Sequence, residues 1–402
     1  MKPSEVAMKV SVIGQGYVGL PLSITLAESG FNVVGIDSSV TRVDMLNLGK
    51  SFTDDIANER IIKQIENKKY SATTEFTEIS NSKIVMICVP TPLDNNKKPD
   101  LSHVLGATSS LAKYLNSDSL VILESTVEPG TTRDILLPLI SKISGLSSEQ
   151  ILLAYSPERI DPLSENWNVS NTPKIVAGIN EKASKQAYSF YAKFVSQVTW
   201  CESVEIAEAA KLLENTFRFI NISFINEFSM FCNKLGIDVL KVISAAATKP
   251  YGFMPFYPGV GVGGHCIPVD PIYLAHKSNA IGAKSDFIEL SKNVNDQIPE
   301  YIISRAEKMI GDLYSKKIII LGVAYKPNIS DVRESPVANL IDALRSRGAD
   351  VNWHDDLVKD WQYEKSTELS SNFDLAIIAT PHEYFDLYKL GNVPILDTRS
   401  SI

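Results

Sequence analysis

Short apolar runs alternate with longer segments of helical periodicity in the first half of the chain. Residues 9–13 (KVSVI) are rich in β-branched side chains, as is typical of a buried parallel strand. A glycine-rich turn over 14–19 follows, and then an apolar-periodic segment predicts a helix with Gly30 as its C-terminal cap. The next run, FNVVGID, predicts a strand ending at Asp37. Together these elements predict a βαβ unit.

The same alternation continues to about residue 200. Further runs predict strands of one sheet at 82–92, 119–130, 151–159 and 174–179. Strands that alternate with helices favour a mostly parallel sheet with helices on both faces. We therefore predict a doubly wound α/β domain of the Rossmann type over residues 1–200.

A different pattern occupies the middle of the chain. Residues 203–235 contain neither proline nor glycine and are rich in Ala, Leu, Glu, Phe and Ile, which predicts one long helix. A loop rich in glycine and proline, 249–271, and further helices follow. We predict a central helical domain over 201–312. Because helices of this length commonly form subunit interfaces, we expect a homodimer through the long helix.

A second, shorter βα series begins with the apolar run KKIIILGVAY at 316–325. The segments ADVNWHDD, FDLAIIAT and VPILDTR predict its later strands. The series predicts a smaller α/β domain over 313–402. It lacks a GxGxxG turn, so we do not expect it to hold a second dinucleotide.

The overall composition is that of a globular protein, with 44% hydrophobic and 21% charged residues. The formal net charge of −8 disfavours binding to a nucleic acid backbone, which requires a basic face. The chain has no secretory signal pattern and no run of about 18 apolar residues, so we expect a cytoplasmic protein without membrane contact. The cysteines include no CxxC pair, so we expect neither a metal site nor a disulfide among Cys88, Cys201, Cys232 and Cys266.

The turn GQGYVG has the spacing of a dinucleotide-binding loop. Gly14 permits the tight turn, Gly16 lets the backbone approach a pyrophosphate at the helix N-terminus, and Gly19 permits close packing of helix and strand. Asp37 lies 18 positions beyond Gly19 and would accept hydrogen bonds from the adenosine ribose, which favours NAD over NADP. Arg42 leaves three roles open: it accommodates a 2′-phosphate, lies against the adenine, or pairs with Asp37.

The segment YPGVGVGGHCIPVDP, residues 257–271, concentrates glycines around one cysteine, and an aspartate follows four residues later. Glycines allow a backbone to approach a ligand closely. Cys266 is therefore a candidate nucleophile. Cysteine is also among the residues most often buried as a small apolar side chain, so the residues alone leave both interpretations open.

Eight motifs follow one another along the chain: GxGYVG, VPTP, STVEPG, YSPER, KLLENTFR, GVGGHCIPVD, AYKPNISDVRES and LDTR. This series resembles the UDP-glucose/UDP-N-acetylhexosamine/GDP-mannose 6-dehydrogenase family, and the resemblance covers essentially the whole chain. It implies oxidation of a sugar C6 hydroxymethyl group to a carboxylate, with two molecules of NAD+ reduced. It further implies an aldehyde, then a thiohemiacetal and a thioester on Cys266, and hydrolysis of that thioester.

The resemblance also implies catalytic roles at the matching positions. Lys211 and Asn215, four apart on the predicted long helix, would stabilise a developing oxyanion. Asp270 would position water or balance the charge of Lys211, and Glu158 would assist hydrolysis of the thioester. Thr126 would hold a water or contact the nicotinamide. An ordinary solvated lysine with a polar neighbour remains the alternative for Lys211, and a turn threonine remains the alternative for Thr126.

Two sets of binding residues follow from the same resemblance. The cofactor set is Gly14, Gly16, Tyr17, Val18, Gly19, Asp37, Arg42, Pro90, Thr91, Thr126 and Arg333, the last of which would reach NAD from the C-terminal domain. The substrate set is Glu158, Arg159, Lys211, Asn215, Tyr251, Gly252, Phe253, Tyr257, Gly263, Lys326 and Arg399. Basic side chains would pair with the diphosphate and aromatic rings would pack on the ligand. Surface salt bridges remain the alternative for Lys326 and Arg333.

His265 stands beside the cysteine, which invites the hypothesis of a Cys–His dyad. Adjacent residues of an extended loop point in opposite directions, and the resemblance assigns no base at this position. We therefore expect His265 to bond backbone or face the substrate.

Three segments indicate the sugar: YSPERIDP, LLENTFRFINISFINE and GVGGHCIPVDP. They most resemble the branch of the family that acts on UDP-N-acetylglucosamine or UDP-N-acetylmannosamine. We favour UDP-N-acetylglucosamine, with the mannosamine epimer or UDP-glucose as alternatives, because no residue decides the configuration at C2. The uronic acid product would feed surface polysaccharide.

Two other classes of function stay open. A two-electron hydroxyacid dehydrogenase of the 6-phosphogluconate type has a similar layout but needs no cysteine. A non-catalytic nucleotide-sugar-binding protein would need none of Cys266, Lys211, Asn215 and Asp270. All four are present, which favours an enzyme.

Overall fold

The computed structural model of the chain describes residues 8–53, 55–160 and 166–400. Residues 1–7 lie outside the described residues, and the expectation of no secretory signal rests partly on them. Positions 161 and 162 of the YSPERIDP motif lie outside as well. The chain divides into two compact units, Met1–Leu213 and Glu214–Ile402. The boundary falls inside a single long helix.

The first unit is built on one sheet. Its strands are β1 (Lys9–Ile13), β2 (Asn32–Ile36), β3 (Tyr70–Thr73), β4 (Ile84–Ile87), β5 (Leu120–Leu123), β6 (Leu152–Tyr155), β7 (Lys174–Gly178) and β8 (Val198–Trp200). They lie in the order β3-β2-β1-β4-β5-β6-β7-β8, and every pair is parallel except β6 with β7. The order reverses between β1 and β4, which is where open α/β sheets bind ligands.

Helices cover this sheet because its central strands are buried on both faces. β4, β5 and β6 are fully buried, as their unbroken apolar sequences require. The helices of the unit are α1 (Gly19–Glu28), α2 (Val40–Asn47), α3 (Asn58–Glu66), α4 (Ser102–Ala112), α5 (Leu137–Ser144) and α6 (Glu181–Tyr191), with a 3₁₀ turn at Phe76–Asn81 and a π-helical turn at Thr131–Leu136. Gly30 follows the last turn of α1 with a φ of 96°, the left-handed conformation that ends many helices.

The predicted long helix is α7 (Val204–Leu235), which has 32 residues and continues from the first unit into the second. The other helices of the second unit are α8 (Val239–Ala247), α9 (Asp270–Ala280), α10 (Asp286–Ile310) and α11 (Val337–Ser346), with a 3₁₀ turn at Leu387–Leu390. The loop between α8 and α9 contains the candidate cysteine.

The second unit has its own small sheet. Its strands are β9 (Lys317–Leu321), β10 (Asp350–His354), β11 (Asp360–Trp361), β12 (Glu364–Lys365), β13 (Leu375–Ile378) and β14 (Ile395–Asp397). Four of them form a parallel sheet in the order β10-β9-β13-β14, and β11 pairs with β12 as an antiparallel ribbon. Apolar residues of α10 and α11 pack on this sheet around Trp353.

The predicted fold class is confirmed: a Rossmann-type N-terminal sheet, a long central helix and a smaller C-terminal α/β sheet. Within the described residues, no helix combines the length and the apolar composition that crossing a bilayer requires.

Candidate active site

The glycine-rich turn joins β1 to α1 where the strand order reverses. Gly14 has a φ of 88°, and a Cβ there would lie 2.6 Å from the carbonyl oxygen of Cys88. A Cβ at Gly19 would lie 1.7 Å from the carbonyl oxygen of Gly14, so the turn itself requires both glycines. A Cβ at Gly16 would meet no protein atom within 4 Å, which leaves this backbone open to a ligand. The other predicted members of the turn are half-buried: Tyr17 and Val18.

Asp37 follows β2 directly, and only 5% of its side chain is exposed. Its Oδ2 accepts a hydrogen bond from the backbone N–H of Gln15 at 2.8 Å, and its Oδ1 accepts one from Ser39 at 2.9 Å. Arg42 Nη1 lies 2.9 Å from the same Oδ2, and its guanidinium lies 4.7 Å from the ring centroid of Phe52. Of the three roles left open for Arg42, pairing with Asp37 is the one that the structure contains.

A buried amide in the turn was not singled out from the sequence. Gln15 Nε2 donates to the carbonyl oxygen of Val12 at 3.0 Å and to Ser23 Oγ at 3.1 Å, while its Oε1 accepts from the Tyr70 hydroxyl at 2.9 Å. Burial and the charge of Asp37 raise the pKa of Tyr70 far above its usual value, so the hydroxyl remains a donor. The turn is thereby fixed to β1, α1 and β3.

The loops after β4 and β5 contain three further predicted residues. Pro90 is exposed, Thr91 is buried and Thr126 is half-buried. Ser125 Oγ donates to the carbonyl oxygen of Val89 at 2.6 Å and so joins the two loops. These predicted residues therefore lie on neighbouring loops at the carboxyl edge of the sheet.

Glu208 fixes the end of the loop that contains Thr126, and it was not predicted. It lies on α7 one turn before Lys211, and its side chain is fully buried. Its carboxylate accepts hydrogen bonds from the backbone N–H of Gly130 at 2.6 Å and from the N–H and hydroxyl of Thr132 at 2.9 and 2.6 Å. Desolvation raises the pKa of Glu208 to about 7, although these hydrogen bonds act to lower the pKa. The first turns of α7 are thus tied to this loop.

A buried ion pair lies beside the loop that contains Glu158, and it too was missed. Lys174 Nζ bonds to Glu124 Oε2 and donates to the carbonyl oxygen of Pro157 at 2.9 Å. The Tyr191 hydroxyl donates to the other oxygen of Glu124. The side chains of Lys174 and Glu124 are 4% and 0% exposed, so each charge depends on the other. The loop after β6 is therefore fixed by a buried polar cluster whose members bond to one another.

Other predicted residues of the first unit have local partners. Glu158 is half-buried three residues after β6 ends, and its Oε1 accepts from the backbone N–H of Ile160. Arg159 Nη1 donates to the carbonyl oxygen of Pro173 at 2.8 Å. Lys211 is 7% exposed on α7. A lysine this buried is not the ordinary solvated side chain that was the alternative.

In the second unit, Cys266 lies in a turn that runs directly into α9, and the residue is exposed. Its carbonyl oxygen accepts hydrogen bonds from the N–H groups of Val269 at 3.1 Å and Asp270 at 2.9 Å. The expectation of an extended loop around His265 is therefore wrong, because residues 264–269 are bends and turns. The physical reason is that Pro271 occupies the first turn of α9, where its missing N–H is not needed and the helix can begin early.

Two predicted catalytic residues bond to each other. Asn215 Nδ2 donates to Asp270 Oδ2 at 2.6 Å, and the two residues are 7% and 3% exposed. Asp270 is also the first residue of α9, where the helix dipole favours a carboxylate. Because Asp270 donates its N–H to the carbonyl of Cys266, the structure brings Cys266, Asp270 and Asn215 together.

His265 is half-buried beside the cysteine. Burial lowers the pKa of His265 below its ordinary value, and the positive charge of Arg333 lowers it further. Arg333 itself pairs with Asp331 at 2.6 Å. The imidazole is therefore favoured in its neutral form near an arginine that was predicted to bind a ligand.

Two glycines bring the cysteine loop against the segment that follows β9. A Cβ at Gly263 would lie 2.5 Å from Pro336 Cδ, and one at Gly264 would lie 3.0 Å from the Tyr325 ring. Only glycine permits this close packing. This segment between β9 and α11 contains two residues that were predicted to bind a ligand, Lys326 and Arg333.

The remaining predicted substrate residues are on the surface of the second unit. Tyr251, Phe253 and Tyr257 are 72%, 40% and 57% exposed, so their rings are available to a ligand. Gly252 has a φ of 68°, which turns the chain between the first two rings. Arg399 lies two residues after β14 and pairs with Asp397 at 3.0 Å.

Three sequence profiles match the chain, and they describe successive parts of one family. The NAD binding domain of the UDP-glucose/GDP-mannose dehydrogenase family matches residues 8–195. The central domain of that family matches residues 205–297, and its UDP binding domain matches residues 319–402. The three profiles together cover most of the chain.

Individual relatives agree with the profiles. A UDP-N-acetyl-D-glucosamine 6-dehydrogenase of Pseudomonas aeruginosa is 34% identical over 399 residues, which cover 96% of this chain and 93% of that protein. A UDP-N-acetyl-D-mannosamine dehydrogenase of Methanococcus maripaludis is 34% identical over 396 residues, which cover 96% and 88%. The solved structure of a UDP-D-ManNAc dehydrogenase from Pyrococcus horikoshii has a TM-score of 0.88 at 30% identity and covers 98% and 96% of the two chains. The chain therefore belongs to the UDP-glucose/GDP-mannose dehydrogenase family and is an NAD-dependent nucleotide-sugar dehydrogenase.

Proposed function

We propose that the enzyme oxidises the C6 hydroxymethyl group of a UDP-N-acetylhexosamine to a carboxylate through a covalent intermediate on Cys266. The observation that supports this most strongly is the arrangement of Cys266, Asp270 and Asn215. An exposed cysteine precedes α9 by one turn, and the first residue of that helix is a buried carboxylate bonded to a buried amide. A nucleophile beside a rigid polar pair suits covalent catalysis.

The residues of the first unit fit NAD. Gly16 leaves its backbone open at the N-terminus of α1, where a pyrophosphate is favoured. Asp37 offers a carboxylate at the end of β2 for the ribose hydroxyls, and its charge disfavours a 2′-phosphate. When bound, NAD+ supplies the hydride acceptor, and two molecules are needed for each sugar.

The proposed reaction balances in four steps. Loss of a hydride and a proton converts the C6 alcohol to an aldehyde. The Cys266 thiolate adds to the aldehyde carbon and gives a thiohemiacetal, which loses a second hydride and a proton to become a thioester. Water attacks the thioester, releases the carboxylate and restores Cys266. One alcohol, one water and two NAD+ thus give one carboxylate, two NADH and three protons.

We assign the other residues by the charge that each step develops. Lys211 and Asn215 would stabilise the oxyanion formed when sulfur or water adds to the carbon. Asp270 would orient the attacking water, Glu158 would accept its proton, and Thr126 would hold a water near the nicotinamide. Burial of Asn215 and Asp270 favours these roles, because fixed dipoles act more strongly where water is excluded.

We assign the UDP moiety to the second unit. Lys326 and Arg399 would pair with the diphosphate, and the rings of Tyr251, Phe253 and Tyr257 would pack on the ligand. Arg399 would then exchange Asp397 for a phosphate. Arg333 would act on the cofactor side.

UDP-N-acetylglucosamine is the favoured substrate, and its C2 epimer UDP-N-acetylmannosamine is the second candidate. The name of the Pseudomonas aeruginosa relative supports the glucosamine sugar, and the name of the Methanococcus maripaludis relative supports the mannosamine sugar. Both relatives are 34% identical to this chain. The product would be a uronic acid donor for surface polysaccharide. Because Cys266 has to remain a thiol, we propose the reducing cytoplasm as the compartment.

We also propose a homodimer that packs through α7. Phe217, Phe224 and Phe231 recur every seven residues and are 45%, 61% and 54% exposed, so one face of the helix is apolar. Light scattering should give about twice the chain mass of 44.3 kDa, and Phe224→Glu should lower it. Phe287→Glu, which changes a ring on α10 that is 74% exposed, is the control. A wild-type protein of single-chain mass would contradict the proposal.

The function is tested by NADH formation at 340 nm with UDP-glucose, UDP-N-acetylglucosamine, UDP-N-acetylmannosamine, UDP-N-acetylgalactosamine and GDP-mannose. We expect two NADH for each molecule of UDP-N-acetylglucosamine. Two NADH with the mannosamine epimer alone would move the assignment to that sugar. One NADH per sugar, or no reaction with any UDP-N-acetylhexosamine, would refute the proposal.

A further inference from the structure

Three loops meet at the carboxyl edge of the small parallel sheet in the second unit. The order β10-β9-β13-β14 means that the chain adds β10 on one side of β9 and then β13 on the other. The reversal between β9 and β13 is a switch point, outside which open α/β sheets bind ligands such as phosphates. The loop after β9 contains Lys326, and the loop after β13 contains His382.

His382 bonds to both neighbouring loops through its two ring nitrogens. Its Nδ1 accepts a hydrogen bond from the backbone N–H of Asn328 at 2.8 Å, and its Nε2 lies 3.0 Å from Asp355 Oδ2. A backbone N–H can only donate, so Nδ1 carries no proton and Nε2–H donates to the carboxylate. The side chains of His382 and Asp355 are both 0% exposed.

Asp355 accepts most of the hydrogen bonds in this network. Its Oδ2 also accepts from the N–H of Val323 at 2.9 Å, and its Oδ1 accepts from Leu357 at 2.9 Å and Val358 at 3.1 Å. Burial opposes the charge, but the hydrogen bonds from His382 and Val323 outweigh it and hold the pKa of Asp355 below its usual value. The carboxylate therefore anchors the beginning of the β9 loop as an anion.

The β9 loop is held at both ends of the short segment that contains Lys326. Val323 bonds to Asp355, and Asn328 bonds to His382. Asn328 has a φ of 63°, a left-handed conformation, and its Oδ1 accepts from the N–H of Glu383 at 3.1 Å. Thr380 Oγ1 donates to the carbonyl oxygen of Ala324 at 2.6 Å, next to Tyr325 and Lys326. The backbone on either side of Lys326 is thus fixed by the loop after β13.

We propose that His382 is a positioning residue for nucleoside diphosphate binding, because it holds the backbone from which Lys326 reaches the diphosphate. The proposal rests on the assignment of Lys326 under the proposed function. A histidine that served only as a core residue would affect stability and every ligand alike. A positioning residue affects the affinity for UDP and leaves NAD binding and the chemical step nearly unchanged.

Two amide variants separate the two ring nitrogens. His382→Asn supplies an amide near the place of Nδ1 and can still accept from Asn328. His382→Gln supplies one near Nε2, so Asp355 keeps its donor while the N–H of Asn328 loses its acceptor. We expect His382→Gln to weaken UDP binding about tenfold by calorimetry and to raise KM for the UDP-sugar similarly, with kcat and KM for NAD within about twofold. His382→Asn should weaken UDP binding by less than about threefold.

The control is His354→Gln, which changes a half-buried histidine of β10 that bonds to the carbonyl of Thr367. Its affinity for UDP should stay within about twofold of wild type. Should His382→Gln not fold, Thr380→Val provides a milder test, because it removes only the hydrogen bond to Ala324 and should weaken UDP binding in the same selective way.

A double-mutant cycle decides between positioning and general stabilisation. In a Lys326→Met background, His382→Gln should cost less than about threefold in UDP affinity, because the side chain being positioned is gone. An equal cost in both backgrounds would overturn the proposal, as would unchanged UDP binding in His382→Gln or equal losses for UDP and NAD. A missing reaction with UDP-sugars would refute the proposed function. The test of His382 could still be interpreted, because the binding of UDP is measured without turnover.

Discussion

Replacing Cys266 with serine is expected to lower steady-state NADH formation from the UDP-sugar by at least about 10³-fold. A serine hydroxyl at neutral pH is almost entirely protonated, whereas a thiol supplies a useful fraction of its nucleophilic anion. The exposed Cys266 stands one turn before α9, beside a carboxylate and an amide that are both buried. Without the thiol, the aldehyde has no sulfur to which it can bind, and the second hydride has no covalently held donor.

The decisive measurement is the number of NADH formed per sugar in a single turnover with enzyme in excess. Wild type should give two and Cys266→Ser at most one. Cys201→Ser is the matched control, because Cys201 is a partly buried thiol of the first unit, outside every proposed site. Denatured mass spectrometry of wild type during turnover should detect the sugar adduct on Cys266. Two NADH per sugar from Cys266→Ser would eliminate the covalent mechanism.

The elements that could be predicted are those with a strong local pattern. Unbroken apolar runs such as Leu120–Leu123 and Leu152–Tyr155 identify strands buried on both faces, and α7 has no residue that would break it. The strand β8 and the ribbon β11–β12 were not predicted, because they have two or three residues each and are largely unburied. β8 is defined by its pairing with β7, and the ribbon by the pairing of β11 with β12 across a short turn. Two or three residues are too few to show a periodic pattern in the sequence.

The same division holds for the candidate site. Gly14 and Gly19 were predicted because a turn constrains its own residues, and the contacts that a Cβ would make bear out that constraint. Glu208, Lys174 and His382 were missed because their importance comes from partners far away in sequence, such as Thr132, Glu124 and Asp355. The loop at Cys266 was predicted to be extended, whereas it turns into α9, because a run of glycines and prolines does not show where the next helix begins. A buried polar partner that lies far away in the sequence leaves no local pattern from which it could be predicted.

The second large effect is expected when Asn215 is changed to aspartate. Asn215 Nδ2 donates to Asp270 Oδ2 at 2.6 Å, and both residues are more than nine-tenths buried. Asn215→Asp replaces the donor by a second carboxylate, so two like charges compete for one buried space. We expect the free energy of unfolding to fall by about 3 kcal/mol at neutral pH and turnover to fall at least about 100-fold. Asn293→Asp, which adds the same charge at an exposed position of α10, should change stability by less than about 0.5 kcal/mol.

The swapped double variant, Asn215→Asp with Asp270→Asn, separates architecture from chemistry. It restores one amide and one carboxylate in contact with their places exchanged, so most of the lost stability should return in urea denaturation. Turnover should stay low, because the carboxylate proposed to orient water would now belong to α7 and the oxyanion donor to α9. Recovery of both stability and activity would show that the pair only holds α7 to α9. Recovery of stability alone is the result that a catalytic Asp270 requires, since a hydrogen bond can be exchanged between its partners while a water-orienting carboxylate depends on its position.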